Sequence, residues 1–360
     1  MAINVLSLFD GMSCGQIALN RTGIEYDNYF ASEIDKYAIK VTRANYPDTI
    51  QLGDIRHVEA VDLPKIDLLI GGSPCQGFSF SGKQLNFDDP RSALFFEFVR
   101  LLKECKPKYF LLENVIMSQE SNDVISCTLG EMFPNCVSQK QLFQAGRLEP
   151  ICINSALVSA QNRKRLYWTN IPGLTQPKDK GIILEDVLED CSNSVYQRGR
   201  GNNKGGIKSN KSPSITSSRW EENVKVPVIK INNELIYKPH KSQCLVANYY
   251  KGSDNHGMRT GCIEVGHAEI NGNDILKRVY SPKGKSPTLT AICGGNQENK
   301  IAIDHKRWRK LTPVECEKLQ TVPDNYTNHV SPTQRYKMLG NGWTVDVIVH
   351  IIKSMKDCPE

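Results

Sequence analysis

Short apolar runs alternate with stretches of helical spacing along the first 170 residues. Val5–Phe9, Tyr29–Ser32, Ile66–Ile70 and Tyr109–Leu112 read as short buried strands. Between them, Gln16–Arg21 opens a helix, and Ser92–Leu102 places Leu94, Phe95, Phe98 and Leu101–Leu102 on one side of another. Strands apolar throughout, alternating with helices, predict an α/β fold: a doubly wound, mostly parallel sheet covered on both faces.

The alternation fades after about residue 188. From Cys191 to Trp220 there is no acidic residue, and Gly, Asn and Ser dominate the run from Gln197 to Gly206, which reads as a loop or linker. Three later segments resemble one another: Lys211-Ser-Pro-Ser-Ile-Thr, Lys241-Ser-Gln-Cys-Leu-Val and Lys285-Ser-Pro-Thr-Leu-Thr. Each is expected to enter a strand from a turn. Helical spacing returns after His305, through Thr312–Gln320 and Val345–Met355. The chain therefore divides into residues 1–188, a smaller, mostly β or irregular segment at 189–304, and a return to the first body at 305–360.

Composition narrows the class of protein. Hydrophobic residues make up 39% and charged residues 23%, the balance of a globular protein, and no apolar run reaches membrane-spanning length. The first residues enter a strand pattern with no basic leader, which predicts a protein that stays in the compartment where it is made. Twelve cysteines without a C-x-x-C pair predict free thiols in a reducing compartment, and seven histidines without paired spacing give no metal site. The charge is unevenly spread. Residues 191–295 hold 16 Lys/Arg against 7 Asp/Glu, whereas the remainder holds 29 against 32. One internal segment thus carries the whole positive excess, which favours a polyanionic partner.

Candidate chemistry lies at the expected strand ends. Leu6-Ser-Leu-Phe-Asp-Gly-Met-Ser-Cys-Gly-Gln16 reads as strand, tight turn and helix, with Gly11 and Gly15 letting backbone approach a ligand closely. Glu33, 18 residues beyond Gly15, ends the next strand, where a carboxylate can accept from ribose hydroxyls. Asp54 ends the one after and could accept from an adenine amino group. To this point a nicotinamide-linked dehydrogenase fits equally well. The run Ile70-Gly-Gly-Ser-Pro-Cys-Gln-Gly-Phe-Ser79 sets Cys75 after Pro74 on a Gly-rich loop, where a thiolate would be accessible. Glu113 ends another strand on the same edge. Arg163 and Arg165, at alternate positions of Gln161-Asn-Arg-Lys-Arg165, point the same way if that segment is extended.

Together these residues resemble the cytosine-5 DNA methyltransferase family. The likeness is carried by Phe9-Asp-Gly, Gly53-Asp-Ile, Pro74-Cys-Gln, Glu113-Asn-Val and Gln161-x-Arg-x-Arg165. It resumes, in the family's order, with Arg309-Lys-Leu-Thr-Pro-x-Glu315, Leu319-Gln, Pro323-Asp and Gly340-Asn341. Leu94-Phe-Phe-Glu-Phe and Tyr167-Trp-Thr-Asn-Ile-Pro-Gly are locally similar to the animal de novo methyltransferases. Two departures stand out, Met12-Ser-Cys14 in the first turn and Gly342-Trp343 after Gly-Asn; both are expected to concern the cofactor pocket and not the reaction.

The resemblance implies a Rossmann-like methyltransferase sheet, S-adenosylmethionine as cofactor and no metal. Phe9, Asp10, Gly11, Gly15, Glu33, Ile34, Asp54, Ile55, Pro74, Asn341 and Trp343 would form the cofactor pocket. Cys75 would add to carbon 6 of a cytosine flipped out of the duplex, with Glu113 on ring nitrogen 3, Arg165 orienting both, and Arg163 favouring the thiolate. The loop Gln76–Asp89 would close over the base. The segment 189–304 would be a target-recognition domain, with Gln76, Ser79, Arg198, Arg200, Lys204, Lys208 and Thr288 on DNA. Double-stranded DNA is the implied partner of a monomer without membrane attachment. It would work in the cytoplasm of a bacterium or phage host (the nucleus, if eukaryotic), with a restriction endonuclease acting separately. The alternatives are a tRNA-type cytosine-5 methyltransferase, against which the basic insert speaks, and a non-catalytic DNA-binding regulator, against which the intact Cys75, Glu113, Arg163 and Arg165 speak.

Overall fold

The computed structural model describes residues 2–73, 93–136, 146–189, 262–268, 270–291, 297–303 and 307–356, with the backbone of five short strands between 194 and 236. Cys75, with Pro74, Gln76, Ser79 and the whole expected loop Gln76–Asp89, lies outside the described residues, as do Arg198, Arg200 and Lys204.

Seven strands form the main sheet: β1 (Ile3–Leu8), β2 (Tyr26–Ser32), β3 (Ile50–Gln51), β4 (Leu68–Gly71), β5 (Tyr109–Val115), β6 (Ile151–Asn154) and β8 (Lys164–Thr169), in the order β3-β2-β1-β4-β5-β8-β6. The pairs from β3 to β5 are parallel; β8 runs antiparallel to both β5 and β6. The order reverses between β1 and β4, and a crevice beyond the carboxyl ends of strands at such a reversal is where open α/β sheets bind ligands.

Side chains of the central strands alternate between two apolar layers, which is why these strands read as unbroken apolar runs. Leu6 and Leu8 of β1, Leu69 of β4, and Phe110 and Leu112 of β5 pack with Phe95, Phe98, Leu101 and Leu102 of helix α3 (Ala93–Cys105), and with Ile125 and Leu129 of α4 (Gln119–Met132). Val5, Leu68, Ile70 and Leu111 face the other way. They meet Ile17 and Leu19 of α1 (Cys14–Thr22) and Ile348, Ile351 and Ile352 of the C-terminal helix (Val345–Lys353), so the last helix closes the first body. Helix α2 (Lys36–Asn45) follows β2. Thr312 caps α5 (Pro313–Leu319) in a reciprocal capping box with Glu315, as Thr-Pro-x-Glu suggests. Next come α6 (Pro332–Asn341) and α7, the closing helix.

Outside the main sheet, β7 (Gln161–Asn162) pairs with β16 (Ser286–Pro287), which ties the third Lys-Ser segment to the first body. Lys285 is buried there, its Nζ donating to the carbonyls of Ala156, Ser159 and Ile182. The other two Lys-Ser segments lie outside the described residues. Strands β9 (Ser194–Gln197), β10 (Gly206–Ser209) and β11 (Val224–Lys225) form a three-stranded sheet, and the Gly/Asn-rich run is the connection between paired β9 and β10; Lys208 falls in β10. A six-stranded sheet joins β12 (Asn232–Asn233), β13 (Leu235–Ile236), β14 (Glu264–Ala268), β15 (Arg278–Tyr280), β17 (Lys300–Ala302) and β18 (Arg307–Lys310). The boundary expected at 304/305 falls inside this sheet, between the paired strands β17 and β18; the helical return begins only at Pro313.

Candidate active site

A cavity of about 880 Å³ opens at the carboxyl ends of β1, β2, β4 and β5. Its first half is built by the turn after β1. Phe9, Gly11 and Ser13 all take left-handed backbone conformations, with φ of 58°, 59° and 64°. Only the glycine adopts this freely; each of the other two costs about 1–2 kcal/mol, the kind of local strain that clusters at functional turns. Glu33, at the end of β2, secures the turn. Its Oε2 accepts the Gly11 N–H at 2.8 Å, and its Oε1 accepts the amides of Ile34 and Asp35, each at 2.7 Å. The carboxylate thereby joins two loops while leaving acceptor capacity on Oε2.

Asp10 is buried beneath this turn. Its Oδ1 accepts the Tyr29 hydroxyl at 2.8 Å, but Oδ2 has no aligned hydrogen-bond partner. Desolvation pushes the carboxyl up to about 6, against the hydroxyls of Ser7, Tyr29 and Ser13. Asp54, the N-cap of a short 3-10 turn, is paired with Arg56 at 2.5 Å, and that hydrogen bond above all draws its carboxyl down to about 2. Ile34 presents an apolar surface, 73% exposed, to the same space, and Ile55 lines it from the strand end beyond.

Gly15 departs from expectation. A Cβ there would come within 2.5 Å of both Ile70 Cδ1 and the Tyr29 hydroxyl, so this glycine lets α1 settle on the sheet and does not line the cavity. Gly11 does line the cavity, and nothing lies within 4 Å of where its Cβ would be.

The second half of the cavity is assembled from distant parts of the chain. Glu113 ends β5, and its neighbour across the antiparallel pair is β8, which brings Arg165 Nε to 3.0 Å from Glu113 Oε1. Trp343, just beyond α6, donates its indole N–H to Glu113 Oε2 at 3.2 Å. This corrects the expectation that Trp343 concerns the cofactor pocket alone. Gly72 makes room for the contact: a Cβ there would lie 2.9 Å from Glu113 Oε2 and 3.0 Å from Trp343 Nε1.

Arg163 and Arg165 both line the cavity, as expected of alternate extended positions. Arg163, however, is 3% exposed, and its guanidinium donates to the carbonyls of Leu289, Gly340 and Gly342, each at 3.1 Å. Burial lowers its pKa to about 10, which leaves it cationic at neutral pH. It is a clamp on two backbone segments. Thr288 is likewise turned inward, its hydroxyl donating to the Asn162 carbonyl at 2.8 Å, so that its one proton is spent away from any phosphate. Asn341 lies on the cavity wall beside Gly340, where a Cβ would come within 2.3 Å of the Thr290 backbone.

Cys14 is the one cysteine among the described residues that lines the cavity. It is buried, and desolvation pushes its thiol up to about 12, so it offers no thiolate. Among the described residues, no group of three or more His, Cys, Asp or Glu is placed to hold a metal ion, and no helix is long and apolar enough to cross a membrane.

Sequence reasoning missed Gly72, Ser73 and Asn114 as site components. Asn114 Nδ2 donates to Ser73 Oγ at 3.3 Å, tying the end of β5 to the chain leaving β4. The signal was present in the Gly-Gly-Ser run and in Glu113-Asn-Val, but the partner of each lies 40 or more residues away.

Comparison with known proteins identifies the family and the fold. A family model described as C-5 cytosine-specific DNA methylase matches residues 3–357. The type II methyltransferase M1.ScrFI of Lactococcus lactis subsp. cremoris is 30% identical over 99% of this chain and 78% of its own length. The orphan methyltransferase M.Rho11sI of Bacillus phage rho11s is 29% identical over 84% of this chain and 70% of its own. Among solved structures, the Entamoeba histolytica methyltransferase EhMeth superposes with a TM-score of 0.62 at 15% identity, covering 99% of this chain and 98% of that one. The S. pombe Dnmt2 methyltransferase gives 0.57 at 15% identity over the same shares. These two show a common fold.

Proposed function

The chain belongs to the C-5 cytosine-specific DNA methylase family and is a DNA cytosine methyltransferase, and on that premise we propose how its residues divide the work. The observation that carries the reading is one cavity with a carboxylate-lined nucleoside end and, opposite, Glu113 held between Arg165 and Trp343.

The first end suits S-adenosylmethionine. Oε2 of Glu33 has acceptor capacity left for a ribose hydroxyl, and Ile34 and Ile55 offer apolar surface to a purine. The unpartnered Oδ2 of Asp10 gains from a nearby positive charge, which a sulfonium or ammonium group provides. When bound there, this cofactor supplies an electrophilic methyl group.

The chemistry is assigned to Cys75 and Glu113. Ser73 lines the cavity, and Cys75 follows it by two residues of chain, which reach at most about 7 Å. Carbon 5 of cytosine is a weak nucleophile because the ring delocalises its electrons. A Cys75 thiolate adding at carbon 6 makes carbon 5 enamine-like and able to take the methyl group. Negative charge then develops toward nitrogen 3, where Glu113 holds a proton and Arg165 keeps the carboxylate in place. A base then removes the carbon 5 proton, and the thiolate leaves as the double bond re-forms. Because a stacked base cannot reach this site, the target cytosine is flipped out of the duplex at a cost of a few kcal/mol. The basic segment within 189–304 acts as the recognition domain, its charge on the phosphates. Arg198, Arg200, Lys204 and Lys208 are the phosphate-binding residues proposed there, and Gln76 and Ser79 the contacts beside the flipped base. The enzyme works as a cytoplasmic monomer, like a phage or bacterial modification enzyme.

Tritium transfer from methyl-labelled S-adenosylmethionine to duplex DNA tests this reading. The parent chain is expected to label DNA and Cys75→Ser to label none, while still binding S-adenosylhomocysteine, because a hydroxyl is far less ionised than a thiol near neutral pH. Undiminished transfer by Cys75→Ser would remove Cys75 from the mechanism. A tRNA substrate labelled in preference to DNA would favour the RNA reading.

A further inference from the structure

We propose that Trp343 is a positioning residue for Glu113: its indole N–H fixes the orientation of the carboxylate that meets nitrogen 3 of the base. The proposal rests on the reading of Glu113 given above.

Two groups approach the Glu113 carboxylate, and they differ in kind. Arg165 Nε lies 3.0 Å from Oε1, but it lacks hydrogen-bond alignment; the Arg165 Nη1 proton is directed instead at the Lys164 carbonyl, at 2.8 Å. Arg165 therefore contributes charge, which falls off slowly with angle. Trp343 Nε1 makes the one aligned hydrogen bond to this carboxylate among the described residues, at 3.2 Å. A neutral indole adds little charge, and what it supplies is direction. The other charged or titratable groups acting on this corner are Arg163 and Tyr167, and burial drives the Tyr167 hydroxyl well above its usual range, so it stays neutral.

The indole can serve as a fixed reference because the backbone around it is pinned from three sides. The Gly342 carbonyl accepts from Arg163 Nη2 at 3.1 Å and from Gln320 Nε2 at 3.2 Å. The Trp343 carbonyl accepts the Cys14 thiol at 3.8 Å. Thr344 Oγ1 donates to Gln320 Oε1 and accepts from Ser155 Oγ, each at 2.8 Å. Two of the three carbonyl bonds of Arg163, those to Gly340 and Gly342, thus acquire a purpose beyond packing: they hold the segment that holds Glu113.

Gly72 supplies an independent observation. Its φ is not left-handed, so no turn demands a glycine there. A Cβ at this position would instead meet the two bonded atoms themselves, Glu113 Oε2 and Trp343 Nε1. The chain leaving β4 toward Cys75 has been kept bare where this hydrogen bond passes beneath it. Because Trp343 also lines the cavity, the same ring is both a part of its wall and the donor that holds Glu113.

The test compares Trp343→Phe, which keeps an aromatic ring but removes the donor, with Gly72→Ala, which strikes the same contact from the opposite side. Single-turnover methyl transfer at saturating S-adenosylmethionine and DNA is measured across pH, alongside S-adenosylhomocysteine affinity and Glu113→Gln. Loss of one hydrogen bond to a carboxylate predicts a rate about 5- to 10-fold lower in Trp343→Phe. The productive complex carries one proton between Glu113 and nitrogen 3. Removing a donor to the anion favours the protonated form, so the limb of the rate profile that falls with rising pH is expected to move to higher pH. Affinity for S-adenosylhomocysteine is expected to stay within about 2-fold, since the ring remains. Should Trp343→Phe fail to fold, Gly72→Ala is expected to lower the rate and shift the same limb. A parent rate and parent pH profile in the folded variant, beside an inactive Glu113→Gln, would overturn the proposal and leave Trp343 a pocket wall. A fully active Glu113→Gln would overturn it together with the reading of Glu113 on which it rests.

Discussion

The two halves of the cavity are built in opposite ways. At the end proposed for the cofactor, the carboxylates Asp10, Glu33 and Asp54 and the turns that carry them come from residues 9–56, at three consecutive strand ends. Its main carboxylate, Glu33, is held by backbone amides within its own neighbourhood. At the other end the Glu113 carboxylate is held by side chains 52 and 230 residues away, Arg165 and Trp343, the second on chain that returns from beyond the segment 189–304. A binding pocket needs shape and a few acceptors, which a local turn can provide. A carboxylate proposed to handle a proton needs a donor fixed in angle, and here the aligned donor, Trp343, is brought in on a segment whose backbone is itself clamped by Arg163 and Gln320. If this division holds, substitutions at one end should move binding and those at the other should move rate.

The largest effect is expected from Glu113→Gln. Methyl transfer should fall about 100-fold or more, the usual worth of a positioned acid or base, with S-adenosylhomocysteine affinity unchanged. Stopped-flow or quench measurements at saturating cofactor, with calorimetry for affinity, separate the two. A parallel loss of both would dissolve the distinction between the ends.

Glu33→Ala should do the reverse. Losing the ribose bonds and the anchor of the Gly11 amide predicts about 1–3 kcal/mol of lost S-adenosylhomocysteine affinity, roughly 5- to 150-fold, while the rate at saturating cofactor stays near that of the parent. Calorimetry showing an undiminished affinity would take Glu33 out of the pocket.

Asp10→Asn sharpens the picture with a smaller effect. The Asp10 carboxyl sits near 6 in the folded chain against 3.8 ordinarily, so the native state binds the proton more tightly than the unfolded state. Stability carried by this group is therefore present below about pH 4 and is lost as pH rises to about 6, by at most about 1.4 kcal/mol per unit. Urea unfolding of the unliganded parent and of Asp10→Asn is expected to show their stability difference shifting in favour of the variant across that window. A difference independent of pH would mean that Asp10 is solvated or paired.

This asymmetry also explains what could be read from the chain. The central strands and α3 were visible because Leu, Ile and Phe repeat with the period of a strand or a helix, and both faces of the sheet are covered. Glu33, Asp54 and Gly11 were found because each stands at a strand end, where the local pattern places it. The rest depended on contacts far apart in sequence. Gly15 looked like a ligand-approach glycine, yet its neighbours are Tyr29 and Ile70. Arg163 was expected to favour the thiolate, and its three carbonyl partners, which no local pattern reveals, lie 126 to 179 residues away. Trp343 stood out only as an unusual residue after Gly-Asn-Gly, and nothing nearby in the sequence points to Glu113. The pairing across residue 304 was hidden for a related reason: β17 and β18 pair with each other within the six-stranded sheet, with polar and basic residues that carry no clear strand period.

The central claim is that Cys75 attacks carbon 6 of a cytosine in duplex DNA, in a cavity whose other end binds the methyl donor. The most direct measurement uses a long, sequence-diverse duplex in which 5-fluorocytosine replaces cytosine. After methyl transfer the base would carry fluorine in place of the proton that must leave carbon 5, so the thiolate cannot depart and the adduct persists. The account predicts a denaturant-stable protein–DNA complex that forms only with S-adenosylmethionine, with the modified peptide in mass spectrometry carrying the base on Cys75. The account is contradicted by a chain that methylates ordinary DNA yet forms no such complex, or forms it on another residue.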